Sequence, residues 1–121
     1  MACILVVEDE PFILQNAAWT LQDLGHITLI ACDLEEALVH LSAQSWIDAL
    51  FVDIRLNTMV LGGYDVANQA VVLRPDLRVL YTSGSEFVDG MKGLFVYGGK
   101  FLQKPYTALQ LEFSVGEILR E

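Results

Sequence analysis

Short apolar runs alternate with longer segments whose apolar residues recur every three or four positions, and the two alternate five times along the chain. The runs are Cys3-Ile4-Leu5-Val6-Val7, 27–31, 49–52, 77–81 and the brief Phe101-Leu102. A short apolar stretch bounded by polar residues reads as a strand buried on both faces. After the first run, Pro11 suits the opening turn of a helix, Leu14, Ala17, Ala18, Leu21 and Leu24 give it an inner face, and Gly25 stops it. After the second, Asp33 with Glu36 has the form of a capping box, followed by Leu34, Ala37, Leu38 and Leu41 at helical spacing. A loop over 54–63 leads to a third helix with Val66, Ala67, Ala70 and Val71 inward, and Pro75 bars its continuation. Segment 86–99 has apolar residues at Phe87, Met91, Leu94 and Phe95. It also carries Gly90 and Gly93, each costing a helix interior ~1 kcal/mol relative to Ala. A short, poorly anchored fourth helix is expected there. Thr107 with Gln110 repeats the capping-box form, and Leu111, Val115, Ile118 and Leu119 face inward on the last helix.

Alternation of this kind predicts an α/β fold, a (βα)5 chain whose parallel sheet carries helices on both faces through right-handed crossovers. At 121 residues the chain is expected to form one domain, 1–121. In such sheets ligand chemistry gathers at the carboxyl edge of the strands. Strand three ends abruptly on Asp53, strand one runs into Glu8-Asp9, strand four into Thr82-Ser83-Gly84, and strand five into Gln103-Lys104-Pro105. One edge therefore collects Glu8, Asp9, Asp53, Thr82 and Lys104.

Composition narrows the classes. The apolar fraction of 54% belongs to a globular chain. No apolar run approaches the ~20 residues of a membrane span, and Met1-Ala2-Cys3-Ile4 has no signal-peptide character. Net charge is −9, from 16 acidic and 7 scattered basic residues, which argues against direct nucleic-acid binding. Cys3 and Cys32 have no metal-ligand spacing and are expected as reduced, buried small hydrophobes of a cytosolic protein. Trp19 and Trp46 are expected to pack, and His26 and His40 to lie at the surface or at strand edges.

Acids gathered at one edge change the picture. At ~4 Å and an effective dielectric of ~20, a like-charged pair costs ~4 kcal/mol. Either one carboxyl holds a proton in a coupled titration, or a cation is bound. A hard divalent ion such as Mg²⁺ suits oxygen ligands, and no His or Cys is placed to favour zinc. Lys104 adds a point charge for an anion and Thr82 a movable hydroxyl. Metal, ammonium and hydroxyl around one carboxylate suit phosphoryl transfer, with Asp53 attacking phosphorus.

With these pieces in order, Glu8-Asp9, Asp53, Thr82-Ser83 and Lys104-Pro105, the chain resembles the receiver domain of two-component response regulators along essentially its whole length. The resemblance implies a flavodoxin-like strand order 2-1-3-4-5 and a cytoplasmic signalling module rather than an enzyme acting on outside substrates. Asp53 would be the phosphoacceptor, supplied by a sensor histidine kinase or a histidine phosphotransfer protein. Asp9, Asp53 and the backbone carbonyl of Arg55 would ligate Mg²⁺, with Glu8 acting through water. Lys104 and Thr82, with Ser83 beside it, would contact phosphate, and the Lys104–Pro105 bond would be cis. Thr82 and Phe101 would form the switch, and the fourth helix and fifth strand an output face toward a downstream protein effector or a second copy. Tyr97 and Tyr106 would lie partly exposed on that face.

Departures from the family pattern stand beside these matches. Asn57 occupies a position that often carries proline, and the loop over 57–63 is long and apolar. Arg55 is bulky where the family tunes phosphoryl lifetime; pairing with Glu8 at rest and screening the phosphoryl group from water are both open roles. Two rival functions are weighed. A small aspartate-nucleophile phosphatase would want a second acid two residues after Asp53, where Arg55 stands, and a cap that is absent. A degenerate receiver acting as a binding module would lack the acids and lysine that this chain keeps.

Overall fold

Ten elements alternate strictly in a computed structural model that describes residues 1–43, 46–56, 62–86 and 88–120. They are β1 (Cys3–Val7), α1 (Pro11–Asp23), β2 (Ile27–Ala31), α2 (Leu34–Ala43), β3 (Ala49–Asp53), α3 (Gly62–Leu73), β4 (Arg78–Ser83), α4 (Asp89–Lys92), β5 (Lys100–Gln103) and α5 (Ala108–Arg120). All strand pairs are parallel, and the order is β2-β1-β3-β4-β5. Val7 pairs with both Ala31 and Val52, Asp53 with Thr82, and Ser83 with Gln103, so the carboxyl ends finish nearly level.

Strand parity divides the core. Leu5, Val7, Leu50, Val52, Val79 and Tyr81 face α2 and α3, whose Ala37, Leu41, Val66, Ala67 and Ala70 cover them. Ile4, Val6, Ala49, Phe51 and Leu80 face the other way, onto Leu14, Ala17 and Leu21 of α1 and Leu111, Val115 and Ile118 of α5. β1 and β3 are buried at every position, as strands covered on both faces must be. Edge strand β2 instead leaves Ile27 and Ile30 exposed.

Local chemistry sets the helix ends. Glu10 caps α1, its carboxylate accepting from Phe12 N at 3.4 Å and Ile13 N at 2.9 Å, which leaves Glu8 and Asp9 available to the edge. Gly25 ends that helical region at φ +93°, where a Cβ is disfavoured. Thr107 and Gln110 form both arms of a capping box on α5. On α2 only one arm is as expected: Glu36 N donates to Asp33 Oδ1, but the Glu36 carboxylate accepts from Cys32 N.

Several boundaries and placements differ from the sequence expectation. β4 runs on through Ser83, because the ladder extends to Asp53 on one side and to Gln103 on the other. α3 begins at Gly62; a Cβ on Gly63 would fall 2.2 Å from Asp53 O, so only glycine fits that close approach. α4 is short, as its glycines led one to expect: a single turn of four residues. Phe87, one of the apolar residues expected in this helical segment, lies outside the described residues, as does 57–61 of the loop between β3 and α3, including Asn57.

Cys3 is buried, but Cys32 is exposed, since it follows the end of edge strand β2. Trp19 and Trp46 are 59% and 72% exposed rather than packed. Trp19 falls on the solvent side of α1, whose inner stripe is filled by Leu14, Ala17, Ala18 and Leu21, and Ile47 takes the buried place beside Trp46. His26 stands just before edge strand β2, where its Nδ1 accepts from Ala2 N, and His40, in the last turn of α2, has its Nε2 2.9 Å from Ile30 O of that strand. Tyr97 is fully exposed. Tyr106 packs edge-on against Phe51 in the α1–α5 core, away from α4. No helix among the described residues is long and apolar enough to cross a membrane.

Candidate functional site

Four strand ends build the site. Asp53 is the last residue of β3, Glu8 and Asp9 follow β1, Thr82 and Ser83 close β4, and Lys104 follows β5. One carboxylate oxygen from each of Glu8, Asp9 and Asp53 lies within 4.8 Å of the other two. Glu8 and Asp53 are buried, and Asp9 is half-buried.

Lys104 resolves part of the repulsion. Its Nζ donates to Glu8 Oε1 at 2.6 Å and to Asp53 Oδ2 at 3.0 Å. Glu8 Oε2 also accepts from Glu10 N at 3.1 Å, and Asp53 Oδ1 from Arg55 N at 3.3 Å. Burial nevertheless drives the Glu8 carboxyl up to about 7. The Lys104 hydrogen bond opposes that rise, and the neighbouring Asp53 charge adds to it. Burial alone would lower the Lys104 pKa, but its bonds to Glu8 and Asp53 outweigh that and raise it. The resting cation beside Glu8 is thus Lys104, and the Arg55 side chain is exposed.

Two observations bear on what the pocket accommodates. The donors are carboxylate oxygens with no nitrogen or sulfur ligand among them, a set that fits a hard divalent ion such as Mg²⁺. The buried hydroxyl of Thr82 has no hydrogen-bond partner among the described residues. A buried hydroxyl normally has one, so this group is positioned for something that arrives. Ser83 is buried beside it, and its Oγ accepts from Ser85 N at 3.1 Å. The Lys104–Pro105 bond is cis.

Phe101 is half-buried, with its ring stacked 6.4 Å from Phe95. Phe95 in turn stacks 4.3 Å from Tyr81, whose hydroxyl accepts from Val96 N at 2.9 Å. Sequence reasoning passes over Tyr81, because inside an apolar run it reads only as core. It also passes over Gln103, whose partners are backbone carbonyls that no side-chain pattern announces.

Residues 4–115 match the family model described as "Response regulator receiver domain". The chain belongs to that family. Among curated relatives, this receiver is 30% identical over 118 residues to the "Probable transcriptional regulator ycf27" of Cyanidium caldarium, covering 97% of this chain and 46% of the relative. It is 27% identical over 120 residues to the "Sensory transduction protein RegX3" of Mycolicibacterium smegmatis, covering 99% of this chain and 51% of that protein. The receiver therefore spans about half the length of the curated relatives it matches. Among solved structures, a response regulator receiver protein from Sinorhizobium medicae superposes with a TM-score of 0.86 at 28% identity, covering 98% of this chain and 94% of that one. NtrX from Brucella abortus gives 0.87 at 30% identity, covering 99% of this chain and 27% of NtrX.

Proposed function

We propose that this receiver accepts a phosphoryl group on Asp53 from a phosphohistidine of a sensor kinase or phosphotransfer protein, in a Mg²⁺-dependent reaction, and switches its output face in response. The observation that carries this reading is the convergence of three carboxylates, the Lys104 ammonium and the unpartnered Thr82 hydroxyl at one sheet edge. Family membership supports a signalling role.

In the transfer, an Asp53 carboxylate oxygen forms a bond to phosphorus as the phosphorus–nitrogen bond of the donor breaks, and the electron pair leaves with the imidazole nitrogen. Asp9, Asp53 and the Arg55 carbonyl would hold Mg²⁺ directly, with Glu8 acting through water. The bound ion supplies positive charge to the phosphoryl oxygens and, with Lys104, brings the three carboxylates to neutrality. Lys104 exchanges a carboxylate partner for a phosphoryl oxygen. Thr82 donates its hydroxyl to another, which gives its buried oxygen the partner it lacks. Ser83 sits beside that contact. Movement of Thr82 passes to Phe101 and the α4–β5 face, where a downstream effector or a second copy would read it.

The module comprises residues 1–121 and acts in the cytoplasm. The test is treatment with acetyl phosphate and Mg²⁺, read by intact mass. One phosphoryl group is expected on the wild type and none on Asp53→Asn. Equal labelling of the two proteins overturns the assignment, and steady turnover of a small phosphate ester would instead indicate a phosphatase.

A further inference from the structure

Gln103, the last residue of β5, turns its carboxamide into a ring of backbone carbonyls. Its Nε2 donates to Ser83 O at 3.3 Å, Gly84 O at 3.1 Å and Lys104 O at 3.1 Å. All three of these partners are acceptors, so an NH₂ group satisfies the place, and a carboxamide oxygen there would face three carbonyl oxygens.

The carbonyls belong to two chain segments that matter separately. Ser83 closes β4 and Gly84 follows it, directly after Thr82, and the third carbonyl is that of Lys104 itself. Lys104 N also donates to Ser83 O at 2.9 Å. The backbone of the lysine is thus fastened on both sides of its Cα to the end of β4. Its side chain is a flexible four-carbon stem, so the place its ammonium reaches depends on where that Cα is held. The ammonium meets its carboxylates at 2.6 and 3.0 Å, distances that leave little room for a shift of the stem's root.

We propose that Gln103 is a positioning residue for phosphoryl transfer: it locks the Lys104 peptide to the end of β4, so that the Lys104 ammonium reaches the phosphoryl group from a fixed root. This rests on Asp53 as the phosphoacceptor. Gln103→Met keeps the length of the side chain and removes its donors. Gln103→Glu keeps the shape and sets a charged acceptor against the three carbonyls.

With acetyl phosphate and Mg²⁺, labelling of Asp53 is expected to slow about tenfold in Gln103→Met and further in Gln103→Glu, with the cooperative thermal transition retained. In a Lys104→Ala background, Gln103→Met should add no further slowing, because its effect passes through the lysine. Labelling of Gln103→Met at the wild-type rate overturns the proposal. So does an equal slowing with and without Lys104, which marks a general structural role. If Gln103→Glu does not fold, Gln103→Met decides. If wild-type Asp53 takes no label, the phosphoacceptor assignment fails instead. The nitrogen-15 shift of the Lys104 ammonium then tests Gln103 by itself: it moves in Gln103→Met if Gln103 sets the lysine, and stays put if it does not.

Discussion

Glu8 is a carboxyl group held where water cannot solvate it, 4% exposed and within hydrogen-bond reach of an ammonium. Its pKa is about 7 in the folded chain against an ordinary 4.5, so the folded state holds the Glu8 proton more tightly than the unfolded state. The stability it contributes is complete below pH 4.5 and is lost as pH rises through about 7. Urea titrations of the metal-free protein should show stability falling across that window, and Glu8→Gln should remove this component of the slope. Magnesium needs the deprotonated carboxylates, so its affinity should rise as pH passes about 7, read by calorimetry. A pH-independent affinity would count against Glu8 as part of the ion's surroundings. At this scale Glu8, Asp9, Asp53 and Lys104 were legible because each stands just past, or at the end of, an apolar run. The ion pair between Lys104 and Glu8 was not, since those residues lie 96 positions apart and nothing local links them.

The α4–β5 region is where an element's weakness was readable and its anchorage was not. Glycines at 90 and 93 pointed to a short, poorly anchored helix, and the helix is a single turn. What fastens the segment after it is a buried tyrosine from the neighbouring strand: the Tyr81 ring stacks on Phe95, and its hydroxyl holds Val96 N. Gly99 lies against the same ring, where a Cβ would come within 2.8 Å of Tyr81 Cε2. Tyr81→Phe keeps the stack and deletes the hydrogen bond. It should cost about 1 kcal/mol in chemical denaturation and speed hydrogen exchange at the Val96 amide more than in β1 or β3. Uniform acceleration throughout the chain would show that Tyr81 supports the core generally and not this segment. Boundaries failed for a related reason. The far end of β4 is decided by ladder partners in β3 and β5, which a propensity along one strand does not contain. The exposed Trp19 and Trp46 mark the same gap, because hydrophobicity alone does not tell which side of an element faces the core.

Across the whole molecule, the fold was the most legible property. Parallel strands covered on both faces must be continuously apolar, and the connections between them must be helical, so the alternation survives every local error of boundary. Strand order entered through the resemblance to receivers, since five alternating units do not by themselves say which strand lies at the edge. The completed sheet separates two kinds of turn. The carboxyl strand ends and the turns leaving them carry Glu8, Asp9, Asp53, Ser83 and Lys104, whereas the turn at Gly25 joins α1 to β2 at the opposite end, exposed and, among the described residues, with no atom beyond its chain neighbours within 4 Å of where a Cβ would stand. A guest peptide spliced in after Gly25 should therefore leave acetyl-phosphate labelling of Asp53 at its native rate, and a lost signal would reveal communication between the ends. The chain in this way offers a built-in port for a fluorescent reporter, remote from its chemistry yet carried on the same rigid frame.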